Sequence, residues 1–380
     1  VRRVMVVYGT RPEAIKMAPV IAAMRSSETV EPIVAVTGQH REMLDQVHEL
    51  FDIRPDHDLA ILTPGQSLAE ITSRALVGVN ALVRQVRPDA VLVQGDTTTT
   101  FAGALAAFYE QLPLVHLEAG LRTGDRHAPF PEEINRRLTT QLATLHLAPT
   151  FTARDHLLAD GVPAPTVAVT GNTVIDALFD VATRRRPYTD SRLERLAASG
   201  RRIVVVTAHR RESWGEPMRD ALRAVADVAG SHPDVDVVFP MHRNPVVREV
   251  AEAELHGRPN VLLIEPLPYA EFARLLSDCH LVVTDSGGIQ EEAPSLGKPV
   301  LVLRATTERT EAVEAGTVRL VGTDRAVIRA ALAELLDDPS AYTAMANTAN
   351  PYGDGKAAAR CLAAVEELLG VGLRLPDFEP

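Results

Sequence analysis

The sequence is short of cysteine: Cys279 and Cys361 are the only two in 380 residues. Thiols so far apart give no metal-binding spacing and no disulfide framework, so a reducing cytoplasm is the expected setting. Long apolar runs are lacking too. None approaches the ~20 residues of a membrane span, and no apolar stretch follows a basic patch in the manner of a signal, so no membrane partner is expected. Basic residues are in deficit, with 39 Lys and Arg against 50 Asp and Glu and a net charge of -11. Such a chain is a poor match for nucleic acid, whose phosphates need a basic footprint, although arginines and helix ends can still hold a small anion. There is no zinc spacing, no Walker loop and no Gly-x-Gly-x-x-Gly after a strand, which leaves metal, P-loop and dinucleotide chemistry without support. No Ser or Cys has a recognisable nucleophile setting. Neither a metal nor a cofactor is expected.

What is present is alternation. Short apolar segments at 4–7, 33–36, 90–93, 114–117, 145–148 and 167–169 read as strands, with helical patterns between them. One helix puts Ile15, Ala18, Ile21 and Met24 on a face and carries Pro19, which marks a kink or a first turn. Residues 184–187 and 190–200 are charged and poor in large apolar side chains, and read as a solvated crossing segment. The alternation then restarts, with strands at 203–206, 235–239, 261–264, 281–283, 300–303 and 318–321 and closing helices at 326–336 and 357–369. Short buried strands alternating with helices specify an α/β fold whose parallel sheets are covered on both faces, and the length favours two domains.

Ligands of open α/β sheets bind beyond the carboxyl ends of the strands, and the informative polar residues fall there. They are Arg11, Asp96 and Glu118 in the first half, and His209, His242, Arg243, Ser286-Gly287-Gly288 and residues 304–309 in the second. If the two sheets face each other, these groups line one cleft. Asp96 either serves a ligand or caps the helix after it. A carboxylate at Glu118, ending an apolar strand, is costly unless paired or used. Glu132 and Glu133 suit a first helical turn as dipole-complementing acids. His209 is either surface charge or an acid/base group, and Arg210 and Arg211 are expected to divide, one inward and one solvated. Asp234-Val235-Asp236 is similar to the Asp-x-Asp of metal-dependent sugar transferases, but at a strand start it reads as a loop. The stretch 284–299 is a strand–turn–helix–strand unit with Gly287 and Gly288 at the helix entrance, where free N–H groups suit a phosphate and Glu292 suits sugar hydroxyls.

Taken together, Gly9-Thr10-Arg11-Pro12-Glu13-Ala14-Ile15-Lys16, Gln39-His40-Arg41, Gly95-Asp96-Thr97-Thr98-Thr99, His116-Leu117-Glu118-Ala119-Gly120-Leu121-Arg122-Thr123, Pro131-Glu132-Glu133, His209-Arg210-Arg211-Glu212 and the stretch 285–299 form an ordered series. In order and spacing the series resembles the bacterial non-hydrolysing UDP-N-acetylglucosamine 2-epimerases over nearly the full length. The resemblance implies a GT-B-like fold of two Rossmann-like domains facing across a cleft. The first would take residues 1–170, with helix 357–370 packing back on it, and the second, UDP-binding, residues 171–356. It implies interconversion of UDP-N-acetylglucosamine and UDP-N-acetylmannosamine through 2-acetamidoglucal, with no metal or nicotinamide, by a homodimer.

By the same resemblance Asp96, Glu118, Glu132 and His209 are the catalytic candidates. Arg11 and Lys16 would stabilise the leaving diphosphate with His209. Ser286, Gly287 and Gly288 would hold its oxygens, Glu292 the ribose, Arg309 the nucleotide and Phe272 the uracil. Gln39, Glu132, Arg210 and His242 match positions of an activator site for a second UDP-sugar, whereas Glu42 and Gly65 depart from it. Other departures are His127 and Ala128 ahead of the Glu pair, and Ala305 and Thr310 where the family commonly has Asp and Pro.

Overall fold

The structure, a computed structural model, describes residues 1–38, 41–61, 63 and 65–380, the side chains of 41–43 excepted. Gln39 and His40 therefore lie outside the described residues. The chain forms two compact units, Val1–Ala177 with Tyr352–Pro380, and Leu178–Pro351.

The first unit holds strands β1 (Arg2–Tyr8), β2 (Val30–Val36), β3 (His57–Asp58), β4 (Ala90–Gln94), β5 (Leu114–Leu117), β6 (Leu145–Ala148) and β7 (Val167–Val169). All are parallel, in the order β3-β2-β1-β4-β5-β6-β7. Val4 to Val7 are fully buried, the run of apolar residues that a strand covered on both faces requires. The helices are α1 (Arg11–Arg25), α2 (Arg41–Leu50), α3 (Leu68–Val86), α4 (Thr98–Tyr109), α5 (Glu132–Leu142), α6 (Phe151–Ala159) and the start of α7 (Thr173–Thr183), within which the first unit ends at Ala177. Ser67 and Glu70 close a capping box at the start of α3, whose Val79, Leu82 and Val83 pack over β1 and β4. Pro19 is not a first turn: α1 opens at Arg11 and Pro12 and continues through it.

The second unit runs α8 (Ser191–Ala198), β8 (Arg202–Thr207), α9 (Glu216–Ser231), β9 (Val235–Pro240), α10 (Pro245–Leu255), β10 (Val261–Ile264), α11 (Tyr269–Asp278), β11 (Leu281–Thr284), α12 (Gly287–Ser295), β12 (Val300–Val302), α13 (Thr310–Ala315), β13 (Val318–Leu320), α14 (Arg325–Asp337) and α15 (Pro339–Ala346). Its six parallel strands take the order β10-β9-β8-β11-β12-β13 around a core that includes Val204, Val206, Leu222, Val237, Phe239 and Val283. The closing helix α16 (Ala357–Leu368) belongs to the first unit and packs on α1, where Glu366 accepts hydrogen bonds from Ser27 and Thr29.

The charged stretch 190–200 is more than a solvated crossing. It contains α8, capped by Asp190, with Leu193 buried and Glu194 paired at 2.9 Å to the buried Arg274. Arg274 also lies 4.1 Å over the Tyr188 ring, so ion pairing and stacking replace the apolar stripe that the sequence lacks. Asp234 and Asp236 pair with Arg202 and Arg201, and Asp236 lies within β9 rather than in a loop.

Both sheets reverse direction of growth at one point, between β1 and β4 in the first unit and between β8 and β11 in the second. A switch point of this kind leaves a crevice at the strands' carboxyl ends. Arg11, Lys16 and Asp96 follow the first pair, and His209 and Ser286-Gly287-Gly288 follow the second.

Candidate active site

In the first unit the centre is Glu118. It follows β5 with a φ of 62°, the left-handed region that a residue with a Cβ rarely adopts, and the residue is 9% exposed. Strain of this kind costs about 1–3 kcal/mol and persists only where surroundings enforce it. The surroundings here are donors. Lys16 Nζ, from α1, lies 2.5 and 2.6 Å from the two carboxylate oxygens. Gln94 Nε2, ending β4, donates to Oε2, and Asn172 Nδ2, just before α7, donates to Oε1 at 3.1 Å.

Asp96 does not cap α4; Thr97 does, accepting from Thr100 N–H. The Asp96 carboxylate instead receives Arg136 of α5 at 3.0 and 2.5 Å. Burial raises its pKa against the pull of Arg136, and the neighbouring Glu118 charge raises it further. Arg136 also donates to Glu133, which is fully buried and takes Arg137 and Thr123 N–H besides. Burial alone would raise the Glu133 pKa, but these donors outweigh it and hold the carboxyl low. Glu132, half-buried at the start of α5, stands four residues before Arg136 and so shares its helix face.

Behind this cluster Glu13 is buried and accepts from Gly9 N–H, Thr10 N–H and the Thr97 and Thr100 hydroxyls. Burial raises its pKa in spite of them. Gly9 is required there: a Cβ would stand 2.2 Å from the Thr37 hydroxyl. His116, buried and pushed down to about 4 by burial, bonds Gly95 O through Nε2 at 2.7 Å and so fixes the turn before Asp96. Arg11 is exposed at the first position of α1.

In the second unit His209 Nδ1 lies 2.9 Å from Asp285 Oδ1. Asp285 Oδ2 accepts from the backbone N–H groups of His209 and Arg210 at 2.7 and 2.8 Å. Burial alone would raise the Asp285 pKa; the imidazole and the two amides outweigh it and hold the carboxyl below its usual range. The exposed His242 ring stacks on His209 at 5.6 Å. Arg210 is half-buried and donates to Asp285 O, whereas Arg211 is exposed, the division expected of the pair. Next to them Ser286 opens α12, and no side chain caps the helix. A Cβ on Gly287 would sit 3.2 Å from the Arg309 guanidinium carbon, so the glycine keeps the helix entrance open beside a cation. Arg309 is steadied by Glu291 at 2.9 Å, and Glu292 accepts from the Tyr269 hydroxyl at 3.4 Å. Phe272 is half-buried on α11. The loop around Ala305 and Thr310 is tied down by other means than Asp and Pro. Arg304 pairs with Glu212 and Glu308, drawing the Glu308 pKa down to about 2, and Thr307 donates to Gln290. His127 stacks on Phe130 at 6.5 Å.

These two clusters sit on a chain whose residues 22–366 match the family model described as UDP-N-acetylglucosamine 2-epimerase. The Bacillus subtilis UDP-N-acetylglucosamine 2-epimerase is 52% identical over 367 residues, 97% of this chain and 95% of the relative. This chain belongs to the UDP-N-acetylglucosamine 2-epimerase family. Solved members share the α/β fold of two parallel-sheet units. The S. aureus MnaA structure with UDP matches with a TM-score of 0.89, 44% identity and full coverage of both chains. The Neisseria meningitidis UDP-GlcNAc 2-epimerase bound to UDP-GlcNAc matches at 0.84, with 47% identity and coverage of 97% of this chain and 100% of the other.

Within this epimerase the first unit gathers Lys16, Asp96 and Glu118, with Glu132 on the helix that supplies Arg136. The second gathers His209, Arg210, His242 and the Ser286 to Gly288 turn. Gln39 lies outside the described residues. Sequence reasoning did not assign Glu13, Gln94, Arg136, Asn172 or Asp285. Asp285 carries the signal that flagged Glu118, a carboxylate directly after an apolar strand, and Thr10-x-x-Glu13 is a capping box. The other three act through contacts far along the chain and leave no local mark. Among the described residues no group of three or more His, Cys, Asp or Glu is placed to hold a metal ion, and no helix is long and apolar enough to cross a membrane.

Proposed function

We propose that the protein interconverts UDP-N-acetylglucosamine and UDP-N-acetylmannosamine without net hydrolysis, eliminating UDP to 2-acetamidoglucal and adding it back. The observation that carries this reading is the buried Glu118 carboxylate, held on a strained backbone and gripped by Lys16, Gln94 and Asn172. Such placement suits a group needed at one point in space rather than one that merely stabilises.

The chemistry explains the residues. The hydrogen on carbon 2 is not acidic, so the bond from carbon 1 to UDP breaks first and carbon 1 gains positive charge. Carboxylates nearby stabilise that charge. One group then takes the carbon 2 proton to leave the glucal. In return a proton is delivered to the opposite face of carbon 2 and a UDP oxygen re-forms the bond to carbon 1. Two faces call for at least two titratable groups, and Asp96, Glu118 and Glu132 are the candidates. The raised pKa of Asp96 suits a carboxyl that carries a proton closer to neutrality than an ordinary one.

His209, aligned by Asp285, together with Arg11 and Lys16, meets the negative charge growing on the departing diphosphate. Ser286, Gly287 and Gly288 offer it the amide groups of α12, Arg309 its cation, Glu292 a partner for the ribose and Phe272 a face for the uracil. The test is product analysis by NMR after incubation with UDP-N-acetylglucosamine. UDP-N-acetylmannosamine at equilibrium with its epimer is expected. Free N-acetylmannosamine with stoichiometric UDP would overturn the non-hydrolysing reading.

A further inference from the structure

We propose that Asn172 is a positioning residue for Glu118, holding the carboxylate from the point where the chain leaves and re-enters the first unit. The inference rests on the reading of Glu118 as a catalytic carboxylate.

Asn172 is 4% exposed, and its polar groups point three ways. Its backbone N–H donates to Tyr352 O at 2.7 Å. Its Oδ1 accepts from Val174 N–H at 3.0 Å, capping α7. Its Nδ2 donates to Glu118 Oε1 at 3.1 Å. The cap requires an acceptor and the carboxylate requires a donor, so the amide has one orientation that satisfies both. An ordinary helix cap needs only the first: Ser, Thr or Asp would serve equally. The amide carries its donor and its acceptor on separate atoms, so it can make the cap through Oδ1 and reach Glu118 through Nδ2 at once.

The anchor behind Asn172 is unusually firm. The chain passes out of the first unit after Ala177 and returns at Tyr352. Outgoing and returning segments meet backbone to backbone, with a Cβ position on Gly353 only 3.2 Å from Ile175 and that on Gly171 3.5 Å from Gly353 Cα. Asp176 stitches the same place by accepting from Ala357 and Ala358 N–H at 3.2 and 2.9 Å. Lys16 and Gln94 grip Glu118 from the β1 and β4 side of the sheet. Asn172 supplies the grip from the crossing, and it fixes the oxygen Oε1 that Gln94 does not touch.

The test uses the full-length protein with Asn172→Asp and Asn172→Ser. Both replacements keep an acceptor for Val174 N–H, so the cap survives. Asn172→Asp sets a carboxylate against Glu118 in place of the donor. Its kcat is expected to fall ~100-fold, the size of effect that a misplacement of about 1 Å produces. KM should stay within about threefold and Tm within a few degrees. The acid limb of its pH–kcat profile should move to higher pH, because a like charge disfavours ionisation of a neighbouring carboxyl. Asn172→Ser should lose about tenfold in kcat with the limb unmoved, since the shorter side chain draws the donor away from Glu118 without adding charge. Wild-type kcat and an unmoved profile in both variants, measured beside an active wild type, would overturn the inference alone. A loss of kcat matched by an equal loss of folded protein would reduce Asn172 to a structural cap and overturn it too. A wild type with no turnover would instead remove the underlying reading of the site.

Discussion

Replacing Glu118 with Gln lowers the epimerisation kcat by about 10³-fold, within the range that a positioned acid or base contributes, while the affinity for UDP changes less than about threefold. Gln keeps the length of the side chain and an oxygen for Lys16, but it has neither the charge to stabilise carbon 1 nor the basicity to take a proton. UDP binding is spared because Ser286 to Gly288, Arg309, Glu292 and Phe272, proposed contacts of the nucleotide in the other unit, are untouched, and Arg11 and Lys16 keep their charge. Removing one partner of a buried ion pair costs roughly 3–5 kcal/mol. Lys16 keeps 20% of its side chain in solvent, which places this variant towards the lower figure. A melting curve, a calorimetric UDP titration and a turnover assay on the same preparation separate the effects. Retention of more than a tenth of wild-type turnover by folded protein would remove Glu118 from the mechanism.

The second large effect is at Asp285. Its carboxylate faces His209 Nδ1 at 2.9 Å and takes the backbone N–H groups of His209 and Arg210. In Asp285→Asn the amide oxygen can still accept from the two backbone groups, which turns the NH2 towards the imidazole. The ring is then pressed into the opposite tautomer and loses the carboxylate that orients it. A loss of about 10²-fold in kcat is expected at neutral pH. Wild-type kcat in folded Asp285→Asn protein would show that Asp285 only holds the loop.

The contrast between Glu118 and Asp285 shows what could be read without coordinates. Strands were legible wherever β-branched and apolar residues ran together, as at β1, β8 and β11, because a parallel strand covered on both faces has no polar alternation to obscure it. Strand ends were legible with them, so the residues facing the switch points could be named. The helix α8 was hidden because its anchoring is ionic, through Glu194 and Arg274 some 80 residues apart. Gln94, Asn172 and Arg136 were hidden for a related reason. Each is an ordinary polar residue at an ordinary turn, helix cap or helix face, and its role exists only once a partner 24, 54 or 40 residues away arrives. Asp285 differs in carrying a local mark, the placement of Glu118 repeated at the end of an apolar strand, although its partner His209 is 76 residues away.

Incubation of the protein with UDP-N-acetylglucosamine in deuterated water tests the central claim most directly. Elimination and re-addition strips the carbon 2 hydrogen on every cycle and returns a solvent proton. One deuterium is therefore expected at carbon 2 of both the gluco and manno products, each still joined to UDP, and it should enter about 10³-fold more slowly with Glu118→Gln. Epimer formed with the original hydrogen retained at carbon 2, or no epimer and no label at high protein concentration, would contradict it.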